Sequence, residues 1–254
     1  MALSRMIFRE YDIRGIVGRD LTEDVATAVG GAYALFLRER GVSGAIAVGR
    51  DNRPSGESLH RALVAALLGA GIDVIDIGIV PTPVAYWSQH NLDVVGGIQI
   101  TGSHNPPEYN GFKLGLHKTS IYGSDIQHLY DLAVAGKFPS GKGTLRHEKV
   151  IDRYVADVVG RVGKLSRDVK VVLDCGNGAG SLVAPKLFPK LGINPRCLFC
   201  ESDGTFPNHH PDPTVPKNLE ALVGAVRKDK ADIGIAFDGD ADRIGVIDDR
   251  GEII

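Results

Sequence analysis

The sequence is short of cysteine, of net charge and of long apolar runs, and each shortage closes off a class of protein. Three cysteines in 254 residues, an odd number, do not build a disulfide framework, and they suit a reducing compartment such as the cytoplasm. Cys197 and Cys200 have C-x-x-C spacing. A strand over 196–199 sends residues i and i+3 to opposite faces, so the pair is expected to have no metal or redox role. Formal net charge is −2, from 29 basic and 31 acidic residues. Such a balance lacks the overall basic field that nucleic-acid binding usually shows, and no nucleic-acid partner is expected. No apolar run is long enough to span a bilayer, so no membrane partner is expected. Arg5, Arg9 and Glu10 stand where a signal peptide would need an apolar stretch, and none is expected.

What is there reads as a globular α/β protein. Hydrophobic residues make up 43% and charged residues 24%, ordinary values for a chain that buries a core. The length suits one large or two medium domains. Residues 8–15 read as a loop or short strand in which Arg14 would need a nearby anion. Thr22 caps a helix whose first turn carries Glu23 and Asp24, and Val25, Val29, Ala32 and Phe36 repeat at helical spacing up to Gly41. Strands are expected over 45–48, 73–77, 94–100 and 111–116. Leu59, Leu63 and Leu67 stripe one helix, and Thr82-Pro83 opens another. Ser124 and Gln127 form a capping box for a helix reaching Ala135. The Gly-, Lys- and Ser-rich stretch 136–149 reads as a linker.

The second half repeats the alternation. A helix carrying Tyr154, Val155, Val158 and Val159 precedes a strand over 171–173. A glycine-rich turn from Asp174 to Gly180 then leads into a helix through Leu191. After a loop over 205–216 come a helix over 219–226, a strand over 233–237 and a hairpin from Ile244. Strands alternating with helices in both halves predict two similar three-layer α/β domains with mixed, partly parallel sheets, over 1–142 and 143–254.

Two loops carry the chemistry. Thr101-Gly102-Ser103-His104-Asn105-Pro106-Pro107 follows an apolar strand, and the two prolines end the ladder at once. A serine and a histidine are thereby held at a strand end, where open α/β sheets bind ligands. Asp238, Asp240 and Asp242 follow a second apolar strand at i, i+2 and i+4. Extended backbone would place the three carboxylates on one side. Two carboxylates about 4 Å apart repel by roughly 4 kcal/mol at an effective dielectric near 20, so a cation is expected among them. Oxygen ligands suit Mg²⁺ or Ca²⁺, and the glutamate of an EF-hand loop is absent. A serine, a metal cluster and the cations Arg14, Arg50, Arg53, Lys113 and Arg243 suit phosphoryl transfer. Neighbouring turn residues diverge, so Ser103 and His104 do not form a hydrolase pair. Gly176-Asn177-Gly178 at a strand–helix turn is a weak dinucleotide signal, because Ser181 stands at the third fingerprint position.

Thr101-Gly102-Ser103-His104-Asn105-Pro106, with Asn110-Gly111-Phe112-Lys113 after it, resembles the phosphoserine loop of the α-D-phosphohexomutases. Asp238-Gly239-Asp240-Ala241-Asp242-Arg243 resembles their metal loop, and Tyr11-Asp12-Ile13-Arg14-Gly15 their N-terminal segment. The Thr-Gly-Ser-His wording is similar to the phosphomannomutase/phosphoglucomutase branch rather than to the phosphoglucosamine mutases. The resemblance implies that Ser103 carries a phosphoryl group and passes it to a hexose 1- or 6-phosphate through a 1,6-bisphosphate, with glucose 1,6-bisphosphate as activator. It implies Mg²⁺ held by Asp238, Asp240, Asp242 and a phosphoserine oxygen at Ser103. Arg14 and Arg243 would stabilise the phosphoryl group, Lys113 and His104 would move protons, and Tyr11, Arg14 and Lys113 would bind substrate. Those mutases have four domains and the resemblance covers the first two. The chain is therefore expected to be an N-terminal fragment whose partners are the C-terminal domains of the same enzyme. It should bind Mg²⁺ and turn over mannose or glucose phosphates poorly or not at all. A non-catalytic metal or sugar-phosphate binding module is the other reading.

Overall fold

A computed structural model describes residues 3–254. The chain divides into two compact units. One comprises the chain to Ile79, Ala85–Gly102 and Glu108–Lys149, and the other comprises Val80–Val84, Ser103–Pro107 and Val150–Ile254.

The first unit is built on a mixed sheet. Its strands are β1 (Ile13–Ile16), β2 (Ile46–Arg50), β3 (Val74–Ile79), β4 (Gly96–Ile100), β5 (Tyr109–Leu116), β6 (Thr119–Ser120) and β7 (Leu145–His147). They run in the order β1-β5-β4-β2-β3-β7, with β6 on β5. Strands β4, β2, β3 and β7 are parallel, while β5 runs antiparallel to both β4 and β1. The helices are α1 (Glu23–Glu39), α2 (Gly56–Gly69), α3 (Thr82–Asn91), which starts in the segment assigned to the second unit, and α4 (Ser124–Ala135). Thr22 Oγ1 accepts from Val25 N at 3.3 Å, so α1 starts where its cap residue allows. Val29, Ala32, Phe36 of α1 and Leu59, Leu63, Leu67 of α2 are buried together in one core with Ile46, Ile98 and Phe112.

Two local expectations give way here. Gly123, not Ser124, precedes α4, and no side chain caps it. Gln127 is committed elsewhere: its amide donates to Phe8 O at 2.8 Å and accepts from Arg5 Nε at 2.8 Å. The stretch 136–149 is more than a connector, because Leu145–His147 pairs in parallel with Val74–Asp76. A short exposed strand of mixed polarity has no alternation to read, so composition alone hid it.

The second unit has a four-stranded sheet of β8 (Val171–Asp174), β9 (Arg196–Leu198), β10 (Ile233–Phe237) and β11 (Ile244–Ile247), in the order β11-β10-β8-β9. Strand β8 is parallel to β9 and β10, and β11 is antiparallel to β10. Its helices are α5 (Ile151–Val162), α6 (Ala184–Lys190) and α7 (Glu220–Asp229). Leu222, Ala225 and Val226 of α7 are buried with Val172, Ala236 and Ile247. On another cluster Val171, Leu173 and Cys175 pack with Ala184, Leu191 and Ile193. The helix expected from the glycine-rich turn to Leu191 is broken. A 3-10 turn over Ala179–Leu182 precedes α6. Pro185 has no N–H with which to carry the preceding turn on as one continuous helix, and it stands in the first turn of α6, where that donor is not needed. Strand β9 stops at Leu198, because Phe199 has φ 50°. Among the described residues no helix is long and apolar enough to cross a membrane.

Candidate functional site

The acidic loop leaves the end of β10, a strand paired on both sides. Its carboxylates converge through a tight turn rather than through extended backbone. Ala241 N donates to Asp238 O at 3.0 Å and Asp238 N to Arg243 O at 3.1 Å, with Ala241 at φ 57°. Asp238 Oδ1 accepts from the backbone amides of Asp242 at 3.0 Å and Arg243 at 3.2 Å. Asp238, Asp240 and Asp242 each present a carboxylate oxygen, and these three oxygens lie within 4.8 Å of one another. Asp238 and Asp240 are fully buried. Burial, then the charges of Asp240 and Asp242, push the Asp238 carboxyl up to about 8. Three acids sharing so small a space are mutually repulsive, and a divalent cation reverses the sign of that repulsion.

Ser103 sits on the same loop face. It is buried and holds a left-handed backbone at φ 49°, a conformation that costs a non-glycine residue energy and persists only where the surroundings impose it. Its hydroxyl donates to Asp238 Oδ2 at 2.9 Å. Gly239 permits the approach: a Cβ there would lie 2.4 Å from the Ser103 carbonyl oxygen. His104 Nδ1 is 3.4 Å from Ser103 Oγ but accepts from Arg243 Nη1 at 2.9 Å. The hydroxyl proton thus points at a carboxylate, and the imidazole nitrogen nearest to it is taken by a guanidinium. Ser103, His104, the three aspartates and Arg243 therefore form one constellation within the second unit.

Thr82 belongs to it as well and no sequence pattern marked it. Its hydroxyl donates to Asp240 Oδ2 at 2.5 Å and its amide to Asp240 O at 2.9 Å. The residue that looked like a helix cap orients a carboxylate 158 positions away.

The other expected site residues lie in the first unit. Arg14, on β1, is buried at 3% exposure and its Nη2 donates to Asp12 Oδ2 at 2.6 Å. Its Nη1 is buried and makes no hydrogen bond among the described residues. Tyr11 is exposed in the turn before β1, and Lys113 stands on β5 opposite Gln99. Arg53, which composition made look available to an anion, is fully buried. Its Nε is 3.3 Å from Asp51 Oδ2, and its Nη1 donates to Tyr109 O at 3.1 Å. The same Asp51 oxygen accepts from Thr101 Oγ1 at 2.8 Å and from Gly102 N at 3.0 Å. The guanidinium also packs against Gly102, where a Cβ would meet Arg53 Nε at 2.2 Å. Asp51 and Arg53 thus anchor the two residues that precede Ser103 in the chain.

Three hard oxygen donors, two of them buried, fit a cation of the Mg²⁺ or Ca²⁺ kind better than a soft metal.

Comparison with known proteins finds matches over nearly the whole chain. Residues 5–138 match the family model of phosphoglucomutase/phosphomannomutase, alpha/beta/alpha domain I, and residues 152–251 match that of domain II. A phosphomannomutase/phosphoglucomutase of Pseudomonas putida is 45% identical over 256 residues, which is 100% of this chain and 54% of that protein. A phosphoglucomutase of Neisseria meningitidis is 44% identical, covering 99% of this chain and 55% of its own length. The crystal structure of a phosphoglucomutase/phosphomannomutase family protein from Burkholderia thailandensis superposes with a TM-score of 0.95 at 44% identity, over 100% of this chain and 57% of that one. The chain spans about half the length of the curated relatives it matches. Both of its α/β units, and the loops that carry Ser103 and the three aspartates, fall within those matches, and the chain belongs to the phosphoglucomutase/phosphomannomutase family.

Proposed function

We propose that this chain carries the phosphoryl-transfer machinery of a phosphohexomutase, with Ser103 as the phosphoryl carrier. The observation that supports it best is the Ser103 hydroxyl donating at 2.9 Å to Asp238 within the acidic triad. In the reaction the Ser103 Oγ–P bond forms as a sugar O–P bond breaks. The serine gives up its proton and the sugar oxygen gains one. His104 and Lys113 are the groups proposed to move these protons, and Tyr11 and Lys113 to contact the sugar. Arg243 holds the phosphoryl oxygens, and Arg14 is kept ready for them by Asp12, with Nη1 still able to donate. Asp238, Asp240, Asp242 and a phosphoserine oxygen would hold Mg²⁺, whose charge offsets that of the phosphoryl group when it is bound. The substrates proposed are mannose and glucose 1- and 6-phosphates, with glucose 1,6-bisphosphate as phosphoryl donor and activator. A cytoplasmic location suits three free thiols.

The half-reaction is testable on these 254 residues. Incubation with glucose 1,6-bisphosphate and Mg²⁺, followed by peptide mass spectrometry, should place a phosphate on Ser103. Chelation of the metal should slow its appearance, and S103A should abolish it. A Ser103 that stays bare at saturating metal and donor, in a chain folded by circular dichroism, would mean a binding module without chemistry.

A further inference from the structure

The second unit holds a feature that phosphoryl transfer does not use. Cys175 follows β8 directly and is fully buried among Val171, Leu173, Ala184, Leu191 and Ile193. Cys200 lies half-buried at the rim of the same cluster. Their sulfurs are 3.0 Å apart. Cys200 falls outside the alternation of β9, because that strand has ended and Phe199, at φ 50°, redirects the chain. The backbone is pinned beside both thiols: Cys175 N donates to Leu198 O at 3.1 Å, and Asn177 N donates to Phe199 O at 2.8 Å. Cys197, in the exposed part of β9, is the most exposed of the three thiols.

We propose that Cys175 and Cys200 are a modification site, a dithiol that a hydroperoxide converts into an intramolecular disulfide. Cys200 reacts first, since it alone of the pair reaches the surface of the cluster. Its thiolate attacks a peroxide oxygen, the O–O bond breaks, and hydroxide or alkoxide leaves and takes up from solvent the proton the thiol gave up, so the products are the sulfenic acid and water or an alcohol. The Cys175 sulfur then attacks the Cys200 sulfur. The S–O bond breaks, water leaves with the Cys175 proton, and the S–S bond forms. Two electrons pass from the two thiols to the peroxide, so no further reductant or oxidant is required. The acidities run the same way. The hydrogen bond shared with Cys200, and then burial, push the Cys175 thiol up, and the same hydrogen bond pulls the Cys200 thiol down, so the outer sulfur ionises first. The hydrogen bond with Cys200 pushes the Cys197 thiol up as well, so less of it is thiolate despite its access. The bond would close a loop between positions 25 apart in the sequence and so restrict the unfolded chain.

The test uses the whole chain, reduced, then exposed to hydrogen peroxide, and alkylated with iodoacetamide under denaturing conditions. Two of the three thiols should become unavailable to the alkylating agent. A Cys175–Cys200 linked peptide should appear and vanish on treatment with dithiothreitol, and the oxidised chain should melt at a higher temperature. C197S should keep the link and C200S should lose it. If C200S does not fold, the linked peptide from the wild type and from C197S decides alone. A Cys197–Cys200 link, a dimer joined through Cys197 with Cys175 still alkylated, or sulfinic acid at Cys200 with no link would each overturn the proposal.

Discussion

Thr82 Oγ1 and Asp240 Oδ2 are 2.5 Å apart, and both groups are buried. The hydroxyl donates to that oxygen, so it sets which way the carboxylate faces. Such outer partners are worth about 10–100-fold in metal affinity. Thr82→Val keeps the branched shape and removes the donor. Titration calorimetry should show Mg²⁺ affinity falling by that factor, and Asp240→Asn should lose more. Unchanged affinity in Thr82→Val would mean that the backbone turn alone orients Asp240.

Gly239→Ala tests the contact between the acidic loop and the serine. Its Cβ would lie 2.4 Å from a backbone oxygen of Ser103, which cannot rotate away as a side chain could. Overpacking of this kind costs about 1–3 kcal/mol. The thermal midpoint should drop, and Ser103 phosphorylation from glucose 1,6-bisphosphate should fall with it. A variant that melts lower yet phosphorylates at the wild-type rate would separate the packing role from the catalytic one.

Much of the fold was readable because local rules and tertiary structure agree. Thr22 marked the start of α1, and the apolar run over 233–237 coincides with β10. The acidic cluster was visible from its spacing, although its route was not. Extended backbone would also gather three alternate carboxylates, and only Ala241 at φ 57° and the amides on Asp238 reveal the turn. Relations across long sequence separations left no local trace. Thr82 reads as a cap because threonine before proline usually is one. Arg53 reads as a surface cation until Asp51, Thr101 and Gly102 close around it. Cys197 and Cys200 were judged from strand geometry that one residue, Phe199, does not keep.

Arg53 and Asp51 are both fully buried, so neither can lose its partner to water. Removing one member of such a pair leaves an uncompensated charge and costs about 3–5 kcal/mol. Arg53→Met and Asp51→Asn should each lower the unfolding free energy measured in urea by a corresponding amount. Thr101 and Gly102 lean on Asp51, so Ser103 phosphorylation should fall in Asp51→Asn even well below its melting temperature. An unfolding free energy within about 0.5 kcal/mol of wild type, the usual range for surface substitutions, would show that the pair is not held dry.

His209 gives the second unit a pH dependence whose sign follows from its partners. Nε2 lies 3.0 and 3.1 Å from the two oxygens of fully buried Asp174, and Nδ1 lies 3.0 Å from His210 O. Both ring nitrogens face acceptors, so the doubly protonated ring satisfies both. The bond to Asp174 raises the His209 pKa, burial opposes it, and the His210 carbonyl adds to the rise. The unfolded chain releases this proton near pH 6.5. Between that pH and the higher folded value the native state binds more protons than the unfolded one, so stability falls as pH rises. The contribution is complete below about pH 6.5 and is lost as pH rises through the folded pKa. His209→Gln can still donate one hydrogen bond but cannot titrate. At fixed Mg²⁺, the gap in thermal midpoint between wild type and this variant should be widest below about pH 6.5 and should narrow in more alkaline buffer. A gap that stays constant or widens above that pH would show that the ring is neutral in the folded chain and that Asp174 holds it only by a single hydrogen bond.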